Sequence, residues 1–195
     1  MTDRVTLITG ASAGIGTELA RVFAGHRLAL VDRRGDRLTT LASEIVAAGG
    51  TAPIIITLDL ELPDSGDKIA AVLAAEGVEV EYLINNAGFG LFGRAIERDR
   101  VEQLGIIAVN IRGITDLSLR FADHLIRHRG GILNVGSIAG FLPGPGMAND
   151  LQNVGFVLSG RLSGDPVRPR RSYRPLQPAR DGAALSGGRL LDAAV

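Results

Sequence analysis

Thr9-Gly10-Ala11-Ser12-Ala13-Gly14-Ile15-Gly16 is the stretch of this chain whose residue types are best suited to hold a ligand. It lies between an apolar, β-rich run, Val5 to Ile8, and a segment in which Ile15, Leu19, Val22 and Phe23 recur at helical spacing. A turn of small residues joining a strand to a helix presents bare backbone N–H groups at the positive end of the helix dipole, a natural seat for an anion. Gly10 allows the tight turn, Gly14 admits a diphosphate where a Cβ would obstruct it, and Gly16 lets the helix pack closely on the strand. Other polar residues close later apolar runs: Asp32, Asp59, Asn85, Asn86 and Ser137. His124 and His128 have i, i+4 spacing on a predicted helix, as a metal pair would. With no third ligand in view, they and His26 read as surface residues, and no metal site is expected. The chain has no cysteine, which excludes disulfides and thiolate metal sites.

The elements that must position these groups alternate along the chain. Strands are predicted at Val5–Ile8, Arg27–Val31, Ala52–Leu58, Val80–Ile84 and Gly131–Val135. Between them, helical spacing runs from Ile15, over Asp36–Ala48 with Gly49-Gly50 as a C-terminal stop, over Ser65–Glu76, and over about Arg100–Arg129 with Gly113 as a weak point. Continuous apolar strands alternating with helices predict an α/β fold, a parallel sheet covered on both faces and joined by right-handed crossovers. Ligands bind such sheets at the carboxyl ends of the strands, where every polar residue named above falls. The 21 basic and 21 acidic residues cancel, so nothing in the charge balance attracts nucleic acid or an anionic membrane. No secretory leader or membrane-spanning run is legible, and a cytoplasmic location is the expectation.

Several of these stretches together resemble the short-chain dehydrogenases/reductases. Thr9 to Gly16 looks like that family's cofactor motif, and Asn85-Asn86-Ala87-Gly88 like its second signature. Asp59-Leu60 is similar to its adenine-contacting pair, Asn110 to its helix asparagine, and Asn134 to Gly140 to its catalytic-serine strand. The resemblance covers about residues 4 to 148. It implies a Rossmann-like doubly wound sheet of order 3-2-1-4-5 and an NAD(P)-dependent oxidoreductase acting on a small carbonyl or alcohol. It also implies cofactor contacts from Gly10, Ser12, Ala13, Gly14, Ile15, Gly16, Asp32, Arg33, Asp59, Leu60, Asn86, Ala87 and Gly88, with Asn110 and Ser137 as catalytic members. Asp32 would accept from the ribose hydroxyls of NAD, whereas Arg33 and Arg34 suit the 2′-phosphate of NADP. The reading leans to NADP because the residues around them resemble NADP-type members. The family is usually homo-oligomeric; the substrate has no signature here.

The family's acid/base pair does not appear. Members carry Tyr-x-x-x-Lys about a dozen residues after the serine, the lysine lowering the pKa of the tyrosine. That spacing points to positions 150 and 154, which hold Asp150 and Val154. Lys68 is the sole lysine, and the only later tyrosine, Tyr173, stands among arginines. From about residue 149 the chain departs from the family pattern, and from Gly160 the composition turns Arg-, Pro-, Gly- and Ala-rich, so a dinucleotide-binding domain over 1–148 and an aberrant, disordered tail over 149–195 are expected. One set of codons for Tyr173-Arg174-Pro175-Leu176-Gln177, read one base later, gives Thr-Ala-Leu-Cys-Ser, close to the end of the family's sixth strand. A truncated or frameshifted product is thus expected, with activity lost or impaired, part of the usual dimer face missing and strand five left as an edge. The alternatives are a cofactor-binding pseudoenzyme and a non-functional product.

Overall fold

The structure, a computed structural model, describes residues 3–136. Ser137, Asp150, Val154, Tyr173 and the whole expected tail lie outside these residues. Five strands form one parallel sheet: β1 Asp3–Thr9, β2 Leu28–Asp32, β3 Ile54–Thr57, β4 Val78–Asn85 and β5 Gly131–Asn134. Their order is β3-β2-β1-β4-β5, the doubly wound arrangement that the family resemblance implies. Helices α1 Ile15–Val22, α2 Gly35–Ala47 and α3 Ser65–Ala75 fill the first three crossovers.

Two apolar layers explain why the sheet is buried on both sides. Ile8, Leu28, Leu30 and Ile84 pack on Ala20 of α1 and Leu38, Leu41 and Ile45 of α2. Val5, Leu7, Ala29, Val31, Val80 and Leu83 face the opposite way, onto Ile69 and Leu73 of α3 and onto Val109, Leu117, Phe121 and Leu125. Strict alternation would send Val80 and Leu83 to opposite faces. An irregularity between Val5 and Thr6 resolves this: Val5 pairs with Val80 but Thr6 with Tyr82, so one extra residue of β4 resets its parity.

The last crossover departs from the single long helix predicted over Arg100–Arg129. It comprises α4 Arg100–Ile107, a π-helical stretch Ala108–Gly113, α5 Ile114–Arg120 and α6 Ala122–His128. Asp99 caps α4, its Oδ1 accepting from the N–H of Val101 at 2.7 Å and of Glu102 at 3.2 Å. Gly113 does not end the run; the change from α5 to α6 falls at Phe121, whose buried ring belongs to the core. Among the described residues no helix is long and apolar enough to cross a membrane.

The histidines correct the surface reading. His26 is exposed, but the His128 side chain is only 10% exposed and its Nε2 lies 2.6 Å from Oε2 of Glu79. Arg127 takes the other oxygen of Glu79, and the Val80 N–H donates to Nδ1 of His124 at 3.4 Å. The last turn of α6 is thereby fastened to the start of β4. Burial pushes the Glu79 carboxyl up, but hydrogen bonds from Arg127 and His128 and the charges of Arg127 and His124 hold it below its ordinary range. A lowered pKa gives stability that is complete above the unfolded-state value and is lost as pH falls through the folded one. Urea titrations of the wild type and Glu79→Gln should therefore show a gap at neutral pH that closes in acid. A gap constant across that range would disprove the assignment.

Candidate functional site

The carboxyl ends of β1, β2 and β4 converge on the glycine turn. Thr9 closes β1, and its Oγ1 donates to the Ile84 carbonyl at 3.3 Å while accepting from the N–H groups of Asn86 and Ala87 at 3.0 and 3.1 Å. The Asn86 side chain returns the contact, Nδ2 donating to the carbonyls of Thr9 and Gly10, both at 3.0 Å. Asn86 is thus a tie between β4 and the turn. On the other side, the Gly10 and Ala11 N–H groups donate to the Val31 carbonyl at 2.8 and 3.3 Å. Gly10, expected to allow the tight turn and to contact the cofactor, gives its N–H to β2 and lines the cleft that runs from the turn.

The residues after it are placed to receive an anion. Gly14 has φ +57°, and a Cβ built there would meet nothing within 4 Å, so its face is open. Helix α1 begins at Ile15, directing the unpaired N–H groups of its first turn to that opening. Gly16 is the tight contact: a Cβ there would overlap the Gly10 carbonyl and come 2.5 Å from Nδ2 of Asn86. The Ser12 hydroxyl is buried, without a hydrogen-bond partner of normal geometry. An open glycine face at a helix N-terminus fits a phosphate-bearing ligand.

A cleft of about 380 Å³ runs from this turn along the strand ends. Gly10, Ala13, Gly14 and Ile15 line it beside Asp32, Arg33 and Arg34 of the β2 end, Asp59 and Leu60 after β3, and Asn86, Ala87 and Gly88 after β4. Sequence-predicted Ser12 and Gly16 adjoin the turn but do not line the cleft, whereas Leu58, Glu61, Phe89, Val109 and Val135 line it without having been singled out as cofactor contacts. Leu58, Glu61, Phe89 and Val109 each neighbour a named residue in sequence.

Electrostatics differ along the cleft. Asp32 is 9% exposed, and its Oδ1 accepts from Nε of Arg34 at 3.2 Å and from the Arg34 N–H at 3.0 Å. Burial pushes the Asp32 carboxyl up, but the Arg34 side chain and N–H, with the nearby Ser12 hydroxyl, bring it below its ordinary range. Arg33 is more open: its side chain is 63% exposed, and Nη1 lies 3.8 Å from both Oδ2 of Asp59 and Oε1 of Glu61.

At the far end, Asn110 sits in the π-helical stretch and grips the backbone of Phe89, accepting from its N–H at 3.2 Å and donating to its carbonyl at 2.9 Å. Gly88 lies against it; a Cβ there would come 3.2 Å from Oδ1 of Asn110. Buried Asn85 reaches the other way, donating to Oδ1 of Asn134 at 2.8 Å and Oγ of Ser118 at 3.3 Å, which fixes the end of β5. Position 137, the expected serine, follows that strand just outside the described residues.

Comparison with known proteins agrees with this architecture. A family model described as short chain dehydrogenase matches residues 4–149. Galactitol 2-dehydrogenase (L-tagatose-forming) of Cereibacter sphaeroides is 35% identical over 137 residues, 68% of this chain and 52% of that protein. Sulfoacetaldehyde reductase of Chromohalobacter salexigens is 38% identical over 152 residues, 75% of this chain and 58% of that protein. The chain spans about half the length of these curated relatives. Among solved structures, a metagenomic short-chain oxidoreductase in complex with NADP superposes with a TM-score of 0.70 at 35% identity, covering 78% of this chain and 71% of that one.

Proposed function

The chain belongs to the short-chain dehydrogenase family, and from that premise we propose that it binds a nicotinamide dinucleotide, NADP in preference to NAD, as the cofactor-binding part of an oxidoreductase for a small carbonyl or alcohol. The observation that carries this reading is the open face of Gly14 at the start of α1, in a cleft that Arg33 also lines. When bound, the dinucleotide supplies the hydride chemistry. The chain's own part is to hold it. Gly10, Ala13, Gly14 and Ile15 hold the diphosphate, with Ser12 adjoining and Gly16 letting α1 pack close on the turn. Asp59 and Leu60 border the adenine, and Asn86, Ala87 and Gly88 line the nicotinamide side. Asn110 positions the segment at Phe89, and Ser137, by the family resemblance, would hydrogen-bond a substrate oxygen on which charge develops.

The NADP preference rests on two arginines with different tasks. Arg34 is engaged with Asp32 and offsets the carboxylate that would repel a 2′-phosphate. Arg33 keeps an exposed guanidinium at the cleft mouth, suited to that phosphate. The structural relative held with NADP supports the same choice.

The absence of Tyr-x-x-x-Lys favours a protein that binds without efficient turnover. An unassisted phenol, with a pKa of roughly 10, is a poor base at neutral pH, and positions 150 and 154 offer Asp150 and Val154 instead. The experiment is a nicotinamide fluorescence titration with NADPH and NADH, followed by turnover across a carbonyl panel. Tighter binding of NADPH without turnover is the expected result. Binding of neither dinucleotide would defeat the cofactor reading, and clear turnover would defeat the inactive one.

A further inference from the structure

Glu61 is fixed in place at three points. Its N–H donates to Oδ1 of Asp59 at 2.9 Å, and its carbonyl accepts from Nη2 of Arg112 at 2.6 Å. Its carboxylate lies over α4 where Gly105 leaves room; a Cβ at Gly105 would come 2.8 Å from Oε2. The other oxygen, Oε1, lies 3.8 Å from Nη1 of Arg33, the same nitrogen that Asp59 approaches at 3.8 Å. Neither distance is a hydrogen bond. The Glu61 backbone is pinned, its carboxylate touches the cleft, and the guanidinium opposite is close to it but not locked.

We propose that Glu61 is a specificity-determining residue that restrains Arg33, competing with a 2′-phosphate for its guanidinium and so moderating the preference for NADP over NAD. The proposal rests on the dinucleotide reading above. A phosphate drawn to Arg33 must displace or share a cation already facing two carboxylates, and it meets the charge of Glu61 as a like charge. A ribose with a free 2′-hydroxyl brings no such charge and is almost indifferent to Glu61. Because the pair is exposed and loose, its effect is modest, in the range measured for surface ion pairs.

The test uses the full chain with Glu61→Gln, Arg33→Ala and the double variant. NADPH, NADH, adenosine 2′,5′-bisphosphate and AMP are titrated by calorimetry. Gln keeps the length and the backbone contacts of Glu61, and thermal melts confirm that each variant folds as the wild type does. Glu61→Gln should tighten NADPH and the bisphosphate by about two- to fivefold while NADH and AMP move little. In the Arg33→Ala background the same change should lose most of that gain. Unchanged or weakened binding of the 2′-phosphorylated ligands, an equal shift for all four, or a gain that persists without Arg33 would overturn the proposal. If NADH and NADPH bind the wild type and only the Glu61→Gln shift fails, the dinucleotide reading survives. If no ligand binds any variant, both fall.

Discussion

Gly16→Ala should unseat the cofactor turn and cost the protein about 1–3 kcal/mol or more of stability, the range of an overpacked core. The reason is local. The new methyl would overlap the Gly10 carbonyl, a backbone atom that cannot rotate away, and crowd Nδ2 of Asn86 at 2.5 Å. Relief requires α1 to lift from β1 or Asn86 to abandon its two carbonyls. Either movement breaks the tie between the β4 end and the turn, and each lost hydrogen bond adds about 0.5–1.5 kcal/mol. Dinucleotide affinity should fall by more than about tenfold, since a shift of 1.4 kcal/mol in the cradle suffices for that. Gly25→Ala is the matched control. Position 25 is exposed and a Cβ there meets nothing within 4 Å. It should change stability by no more than about 1 kcal/mol, and in the stabilising direction, through the unfolded chain. Urea midpoints for the two variants, measured beside dinucleotide titrations, check the argument. If Gly16→Ala melts and binds like Gly25→Ala, the close approach is not what fixes the turn.

The contrast between these two glycines shows what was legible in advance. Periodicity was enough to find five strands and the alternating helices, because burial on both faces leaves a continuous apolar run. Strand-end polarity placed Asp32, Asp59 and Asn86 at one rim, and the order 3-2-1-4-5 came from the family resemblance. What those patterns do not encode is which group a backbone atom answers to. Gly10 read as the residue of the tight turn, but that its N–H answers to the Val31 carbonyl on β2 was not legible. His128 read as exposed, yet Glu79 on β4, 49 residues away in sequence, pairs with it. The π-helical stretch around Asn110 was likewise invisible, since one extra residue in a turn leaves the apolar spacing almost unchanged. Its presence accompanies the two bonds from Asn110 to Phe89, which bring a helix side chain to a strand-end loop. Local patterns report periodicity; long-range partners are set by the register of β4 and by the single residue that resets it.

The largest expected effect on activity comes from the reading frame. If the change of composition near residue 149 is a shifted frame, the cofactor-binding half is sound and only the following segment is altered. Asp150→Tyr/Val154→Lys in this chain should then leave turnover near background, although it restores the family's Tyr-x-x-x-Lys spacing to the letter. A frame-restored protein should recover turnover with NADPH by several orders of magnitude. The argument is geometric. General acid/base catalysis contributes about 10²–10⁴-fold, but only when the group lies within hydrogen-bond reach of the proton it moves. Displacement by ~1 Å can cost about 10²-fold. A tyrosine and lysine set into residues 149–195, rich in proline and glycine and lacking the family's later strand pattern, have no scaffold to supply that precision. The same three proteins should bind the dinucleotide with similar affinity, because the glycine turn, Asp32 and Arg33 are common to all of them. Equal activity in the double variant and the frame-restored protein would refute the need for the later scaffold. A coding sequence in which no alternative frame after residue 148 supplies Tyr-x-x-x-Lys would refute the frameshift itself, and clear dehydrogenase activity in the chain as it stands would require a base other than the residues at 150 and 154.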